Sequence, residues 1–365
     1  MTTRIMPMEN VPSKLNGNGS AGSRTILVTG AAGFIGSNFE RYLFRKYPHY
    51  KIIAYDALTY AGNVDNFTNE MRESDRFEFI YGNVCNAAQV QEVMSSVDMV
   101  VHLAAETHVT RSIYDAAGFF ETDVLGTASI CNAVARYKAR VSRFIHISSS
   151  EVYGSCRDGL EMMDESHPLE PCSPYASAKA GADRLVYSYW RTYDIPAVIV
   201  RPFNNYGYRQ HLEKVIPRFI TSVILNEPLS VHGTGFSSRD WVFVMDTCDA
   251  IDRVLHAPAE KVVGEVFNVG TGIDTDVLTI AKTILELMGR SEDLIAWVGE
   301  RPGQVFKHRS DSSKLRAAVG WEPSTSFHDG LQQTIEWFRD NERFWQRQMW
   351  LRKIRIETAA GTHWH

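Results

Sequence analysis

Long apolar runs are missing from this 365-residue chain. Nowhere does it offer the ~18 to 20 consecutive apolar residues of a membrane span. Cysteine is scarce: Cys85, Cys131, Cys156, Cys172 and Cys248 are odd in number and widely spaced. No CxxC and no Cys/His cluster of zinc spacing occurs, so neither a disulfide framework nor a metal centre is indicated. The thiols read as reduced, in a cytoplasmic protein. No block of basic residues stands out either. Lys plus Arg is 38 against 43 Asp plus Glu, a formal net charge of -5. That balance argues against nucleic acid as a partner while leaving room for local phosphate pockets. The first 23 residues lack the apolar middle of a signal peptide and read as a disordered lead-in.

What is present suits a globular enzyme. Apolar residues make up 44% and charged residues 22%, enough to build a buried interior. The length fits two lobes sharing one core. Short β-branched runs ending at glycine or a polar residue read as buried strands: TILVTG from Thr25, KIIAYD ending at Asp56, FEFIYGNV from Phe77, VDMVVHLAA, RFIHISSSEVYG and IPAVIVRPFN. Helical patterns lie between most of them, for example over 122–137 and 175–193. Strands alternating with helices predict an α/β fold with a doubly wound parallel sheet, Rossmann-like. Beyond residue 204 the rhythm loosens. EKVIPRFITSVILNE reads as a helix, LSVHGTG and SRDWVFVMD as short strands or loops, and LTIAKTILELMG and HDGLQQTIEWFRDNERFW as helices. The expected division is a dinucleotide-binding domain over 24–203, a smaller α/β substrate lobe drawn mainly from 204–345 and interleaved with it, and a loose tail over 346–365.

The first chemical signal is Thr29-Gly30-Ala31-Ala32-Gly33-Phe34-Ile35-Gly36, between a strand and a helix. Gly30 allows the tight turn, Gly33 a close backbone approach to a pyrophosphate, and Gly36 close packing of helix on strand. The helix N-terminus offers unpaired N–H groups to the phosphates. Asp56, at a strand end, would accept hydrogen bonds from the adenosine ribose and repel a 2′-phosphate, which favours NAD over NADP. The second signal is Tyr175-x-x-x-Lys179, two side chains on one helix face. A lysine ammonium beside a phenol lowers its pKa, so that it can take a proton from a hydroxyl as hydride leaves carbon. Ser149 and Glu151 follow a strand end, where ligands bind in open parallel sheets.

Over its ordered length the chain resembles the extended short-chain dehydrogenase/reductase family. Within it, the nucleotide-sugar dehydratase branch, and the dTDP-glucose 4,6-dehydratases in particular, is the most similar. The resemblance rests on TGAAGFIGSN, DALTYAGN, HLAAETHVTRSI, EVYG, SPYASAK, NNYG with EKVIP, RDWVFVMD, and ERPGQ followed by GWEP. It implies that Tyr175, with Lys179 and Ser149, oxidises C4 of a nucleotide-diphosphate sugar, and that Glu151 removes the C5 proton before water leaves from C6. It implies Phe34, Ile35, Asn83, Val84, Leu103, Ala104 and Ala105 around the cofactor. Glu106, His108, Asn205, Arg209, Lys214, Arg239, Asn268, Arg301 and His308 are implied around the substrate. A homodimer packed through the stretches at 115–138 and 175–193 is implied as well.

The chain departs from that pattern in places. Ser150 stands where the dTDP-glucose enzymes carry the Asp that protonates the departing oxygen, and a serine is far too weak an acid for that. Either Glu151 acts as base and then acid, as the similar GDP-mannose enzymes suggest, or the reaction is not a dehydration. The Ser-Glu pair also resembles UDP-glucuronate decarboxylases, in which Arg209 would hold a carboxylate; nucleotide-sugar epimerases are a further alternative. Asn83 replaces an Asp, Asp123 in TDVLGT replaces an Asn, and His308 replaces a nucleotide-contacting Tyr. A non-catalytic NAD-binding regulator on this fold would lack Tyr175, Lys179 or Glu151, and all three are present.

Overall fold

Six β-branched runs line up side by side, as the pattern predicts. In the computed structural model, which describes residues 23–156, 162–299 and 307–352 and the backbone of 355–358 and 361–364, they form β1 (Thr25–Thr29), β2 (Lys51–Asp56), β3 (Phe77–Tyr81), β4 (Met99–His102), β5 (Arg143–Ile147) and β6 (Ala197–Pro202). All their pairings are parallel. Strands β1, β4, β5 and β6 are almost continuously buried, as expected for a sheet covered on both faces.

After β7 (Asn204–Tyr206), β8 (Leu229–His232) and β9 (Ser238–Phe243) the chain returns to the main sheet through β10 (Val266–Val269). The seven-stranded order is β10-β6-β5-β4-β1-β2-β3. The order reverses between β1 and β4, which opens a crevice at their carboxyl ends. Two apolar layers cover the sheet. One contains Ile26, Val28, Phe39, Leu43 and Ile251; the other contains Leu27, Val100, Ile130, Phe144 and Val186. The second lobe has its own core, built on Tyr206, Phe219, Leu229, Trp241, Ile284 and Phe338. It carries β11 (Asp274–Asp276) antiparallel to β9 and β12 (Ile295–Val298) parallel to β8. Residues 204–345 therefore feed both layers of the molecule.

Some elements differ from the sequence reading. The helix Val244–His256 begins inside the stretch read as strand or loop and packs its buried Ile251 and Val254 into the first sheet layer. The chain end, expected to be loose, pairs β13 (Arg355–Thr358) with β14 (Gly361–Trp364) as an antiparallel hairpin. The lead-in over 1–22 lies outside the described residues. Within 117–136, Phe120–Gly126 is π-helical, a geometry that recurs at functional sites.

A buried ion pair ties the helix Pro174–Tyr193 to the main sheet behind the crevice. Arg201 on β6 donates to both oxygens of Asp183, at 2.8 and 3.0 Å, and to the Tyr153 hydroxyl at 2.9 Å. Tyr153 in turn donates to Asn268 Oδ1 on β10 at 2.7 Å. Burial pushes the Asp183 carboxyl up, but the hydrogen bonds and charge of Arg201, with the charge of Arg184, outweigh it and hold the group below its ordinary range. Removing one partner of such a pair strands the other. Asp183→Asn is therefore expected to lower stability by about 3–5 kcal/mol, read by urea unfolding. The deficit relative to the parent should shrink as pH falls through the Asp183 titration, because the parent then loses the same charge.

Candidate active site

The glycine turn is built by steric necessity. Gly30 has φ of +69°, and a Cβ there would lie 2.7 Å from the Ala104 nitrogen on the neighbouring strand end. A Cβ on Gly36 would lie 2.2 Å from the Gly30 carbonyl oxygen. The first helix, Phe34–Lys46, can therefore start directly above β1. Its cap residue, Gly33, makes no side-chain capping bond. The leading N–H groups, which have no intrahelical acceptor, face the crevice. This cradle fits a dinucleotide pyrophosphate. Asp56 closes the far side: its two oxygens accept from the Ala32 and Leu58 N–H groups at 2.9 and 2.7 Å. Burial raises its pKa, and these two bonds pull it back.

One cleft of about 750 Å³ runs from this turn into the second lobe. Gly30, Gly33, Phe34, Ile35, Gly36, Asp56, Asn83, Val84, Leu103, Ala104 and Ala105 line its cofactor half. Ser149, Ser150, Glu151, Tyr175 and Lys179 line its middle. Glu106, His108, Asn205, Arg209, Lys214 and Arg239 line the walls beyond. Asn83 spends an amide oxygen on the Cys85 N–H at 2.8 Å.

Tyr175 and Lys179 stand on the helix Pro174–Tyr193, capped by Ser173, whose hydroxyl accepts from the Ala176 N–H. Ser149 forms a hydrogen bond with the Tyr175 side chain, and its hydroxyl oxygen also accepts from the Glu151 N–H at 3.2 Å. The short 3-10 turn Ser150–Tyr153 thereby points Glu151 into the cleft. Glu151 lies 4.0 Å from the Arg239 guanidinium. One expectation needs correction here. The lysine does not bring the phenol down within the chain alone. Burial raises the Tyr175 pKa, Asp123 and Glu151 raise it further, and only the Ser149 bond opposes them. Lys179 instead donates to the Ile147 carbonyl at 2.7 Å, and burial lowers its own pKa.

Two residues assigned to the substrate are elsewhere. Asn268 is fully buried on β10, where its amide donates to the Met163 carbonyl at 3.0 Å and accepts from Tyr153. His308 is fully buried too, and its Nε2 meets the Gly154 carbonyl. Both brace the wall that carries Glu151 rather than line the cleft. Arg301 lies outside the described residues. Arg209 lines the cleft but turns towards the first helix: Nη1 is 3.3 Å from Asn38 Oδ1, and the guanidinium lies over the Trp337 ring. Burial, then Arg41 and Arg45, lower its pKa to about 9.

The sequence reading also missed a polar cluster on the substrate wall. Glu213 is almost wholly buried, within 3.6 Å of His108 and His211 and 3.4 Å of Lys214. Tyr60 reaches it through its hydroxyl at 3.4 Å. TYAGN and EKVIP were the available signals, but only Lys214 was drawn from them.

A dinucleotide cradle and a Tyr–Lys pair sharing a cleft with a carboxylate define an extended short-chain dehydrogenase/reductase of the nucleotide-sugar dehydratase branch. The chain belongs to the GDP-mannose 4,6 dehydratase family, which matches residues 27–334. It is 42% identical over 313 residues to the low-salt glycan biosynthesis protein Agl12 of Haloferax volcanii, covering 86% of this chain and 98% of that one. It is 40% identical over 325 residues to dTDP-glucose 4,6-dehydratase of Streptomyces niveus, covering 88% and 94%. Among solved structures it is similar to DesIV, a dTDP-glucose 4,6-dehydratase of Streptomyces venezuelae with NAD and TYD bound. There the TM-score is 0.83 at 38% identity, over 88% of this chain and 99% of that one.

Asp56 offers the sharpest test of the cofactor half. Asp56→Ala should weaken NAD binding to the stripped protein about ten- to hundredfold, the worth of hydrogen bonds to a charged group. It should also narrow the preference for NAD over NADP. Calorimetric titration with both dinucleotides measures this.

Proposed function

We propose that this chain is an NAD-dependent nucleotide-sugar 4,6-dehydratase that acts on dTDP-glucose. The observation that carries the reading is the convergence of Tyr175, Lys179, Ser149 and Glu151 on one cleft with the glycine turn. The similarity to dTDP-glucose 4,6-dehydratases supports the choice of substrate. Bound NAD supplies the acceptor for the C4 hydride and its return to C6, so the cofactor ends each turnover unchanged.

The chain's own residues do the rest. Tyr175 receives the C4 hydroxyl proton, with Ser149 holding the hydroxyl in line. The ketone at C4 acidifies the C5 hydrogen, which Glu151 removes. Ser150 is buried at the cleft wall and is too weak an acid to protonate a leaving oxygen. Glu151 therefore returns its proton to the departing C6 oxygen; when the hydride adds at C6, C5 takes up a proton from solvent and Tyr175 releases to solvent the one it took from the C4 hydroxyl. Lys214 and Arg239, with Arg301, supply cationic donors for the diphosphate.

The working unit is a homodimer in this reading. Phe120 and Leu125, at 43% and 61% exposure, stand on the stretch 117–136, and Tyr187 at 40% on the adjacent helix. Apolar side chains of this size on two neighbouring helices suit a subunit contact. The described helices include none long and apolar enough to cross a membrane. The cytoplasmic placement rests on five free thiols and a nucleotide-linked substrate. Leu125→Glu is expected to convert dimer to monomer in light scattering coupled to gel filtration.

The substrate reading is tested by mass. Incubation with dTDP-glucose, GDP-mannose, UDP-glucose and UDP-glucuronate in turn should remove one water from dTDP-glucose. Loss of carbon dioxide from the glucuronate, or an unchanged mass with altered proton couplings, would replace dehydration by decarboxylation or epimerisation. Glu151→Gln should keep NAD bound yet stop exchange of the C5 hydrogen with deuterated solvent. Undiminished exchange would remove Glu151 from the mechanism.

A further inference from the structure

Asp123 lies in the π-helical turn Phe120–Gly126, is 1% exposed, and does not itself line the cleft. Its Oδ1 accepts from the Glu106 N–H at 2.8 Å, and its backbone carbonyl accepts from the Thr127 hydroxyl at 2.5 Å. Its Oδ2 is buried without a hydrogen-bond partner among the described residues. The cation that acts on this carboxyl is Lys179, and the phenol that meets its charge is Tyr175. Lys179 has two anions within reach, Asp123 and Asp183. Asp183 is already held by Arg201 and by Arg184. Among the described residues, Lys179 is thus the cation left to balance Asp123.

We propose that Asp123 is a positioning residue behind the Tyr175–Lys179 pair, giving that pair two charge states according to whether its carboxyl holds a proton. An asparagine at this place would make the same bond to Glu106 and have no second state. An unpaired buried carboxylate is costly, and burial raises the Asp123 pKa to about 7, against the pull of Lys179 and of the Glu106 N–H. The groups around it set the response. Tyr175, Lys179 and, behind them, Asp183 face it from the helix Pro174–Tyr193. Glu106 faces it from the loop after β4, raised by its own burial and acted on by Arg111, Glu213 and Asp115. His102 on β4 reaches it through the Thr127 hydroxyl, and His146 on β5 faces Lys179. Burial, then Lys179, lower both imidazoles, so neither carries charge near neutral pH. Glu151 acts on Tyr175 from the opposite wall.

The sign follows from charge. Loss of the Asp123 proton raises the Tyr175 pKa and leaves less phenolate to act as base. Asp123→Asn removes that brake. The ratio of variant to parent turnover should therefore rise from pH 5.5 to 8.5, by up to about tenfold for a one-unit change in the phenol. A flat or falling ratio overturns the proposal. This arm rests on the dehydratase reading, so a second arm uses no substrate. A raised carboxyl pKa makes the parent lose stability as pH rises from the unfolded value of about 4 through 7. The melting temperature of Asp123→Asn should gain on the parent's between pH 4.5 and 8. In a Lys179→Met background that gain should open over the same range but keep growing to higher pH, because the cation favouring the carboxylate is gone and the folded carboxyl holds its proton further up the scale. A melting difference that ignores pH, or whose upper pH limit Lys179→Met does not raise, overturns the proposal. Absence of turnover with every nucleotide sugar would sink the dehydratase reading while the melting arm still decides this one.

Discussion

A helix can begin on top of a strand only if nothing stands between them. In this molecule that condition is met at Gly30 and Gly36, where an added Cβ at the second would come within 2.2 Å of the first residue's carbonyl. The remaining geometry hangs on that contact. It sets the helix axis, aims the free N–H groups at the crevice and lets the loop after β4, at Ala104, approach the turn closely. Because every strand of the main sheet runs the same way, the loops after β1, β2, β4 and β5 emerge on one edge. Chemistry separated by more than a hundred residues in sequence, from Gly30 to Tyr175, converges there without further instruction.

Much of this was legible before any coordinates. Buried parallel strands have to be apolar on both faces, so TILVT, MVVH and RFIHI announce themselves. A Tyr and a Lys four apart on a helix have to share a face. What stayed hidden depends on partners that no local pattern encodes. Asn268 lies within β10, where its amide is consumed by Met163 and Tyr153. His308 is buried against Gly154 for the same reason. The helix Val244–His256 opens on Val244 and Met245, which continue the apolar run Trp241–Phe243 of the preceding strand, so composition gives no boundary. Arg209 sits at φ of +64°, and that backbone turn sends its side chain towards Asn38 and Trp337.

Beneath the cleft floor lies a polar thread that few apolar sheets would tolerate. Thr29 meets His102 Nδ1 at 2.6 Å, His102 Nε2 meets Thr127 at 3.0 Å, and Thr127 donates to the Asp123 carbonyl. Burial and the Lys179 charge push the His102 pKa down to about 3, so the thread carries no charge of its own. Its members join the end of β1, the end of β4 and the π-helical turn. A polar chain whose members satisfy one another rigidifies what it connects. Here it connects the cofactor cradle to the wall behind Lys179.

Base strength at Tyr175 then becomes a question of which charges the protein supplies. Within the chain the phenol faces carboxyl groups, Asp123 and Glu151, and the lysine ammonium is committed to the Ile147 carbonyl. Burial and the two carboxyl groups favour the protonated phenol, and the Ser149 hydrogen bond works against them. A nicotinamide cation held in the cradle would add a positive charge beside the phenol. That charge would favour the phenolate when the oxidised cofactor is in place. That arrangement suits an enzyme whose first step must remove a proton and a hydride from the same alcohol.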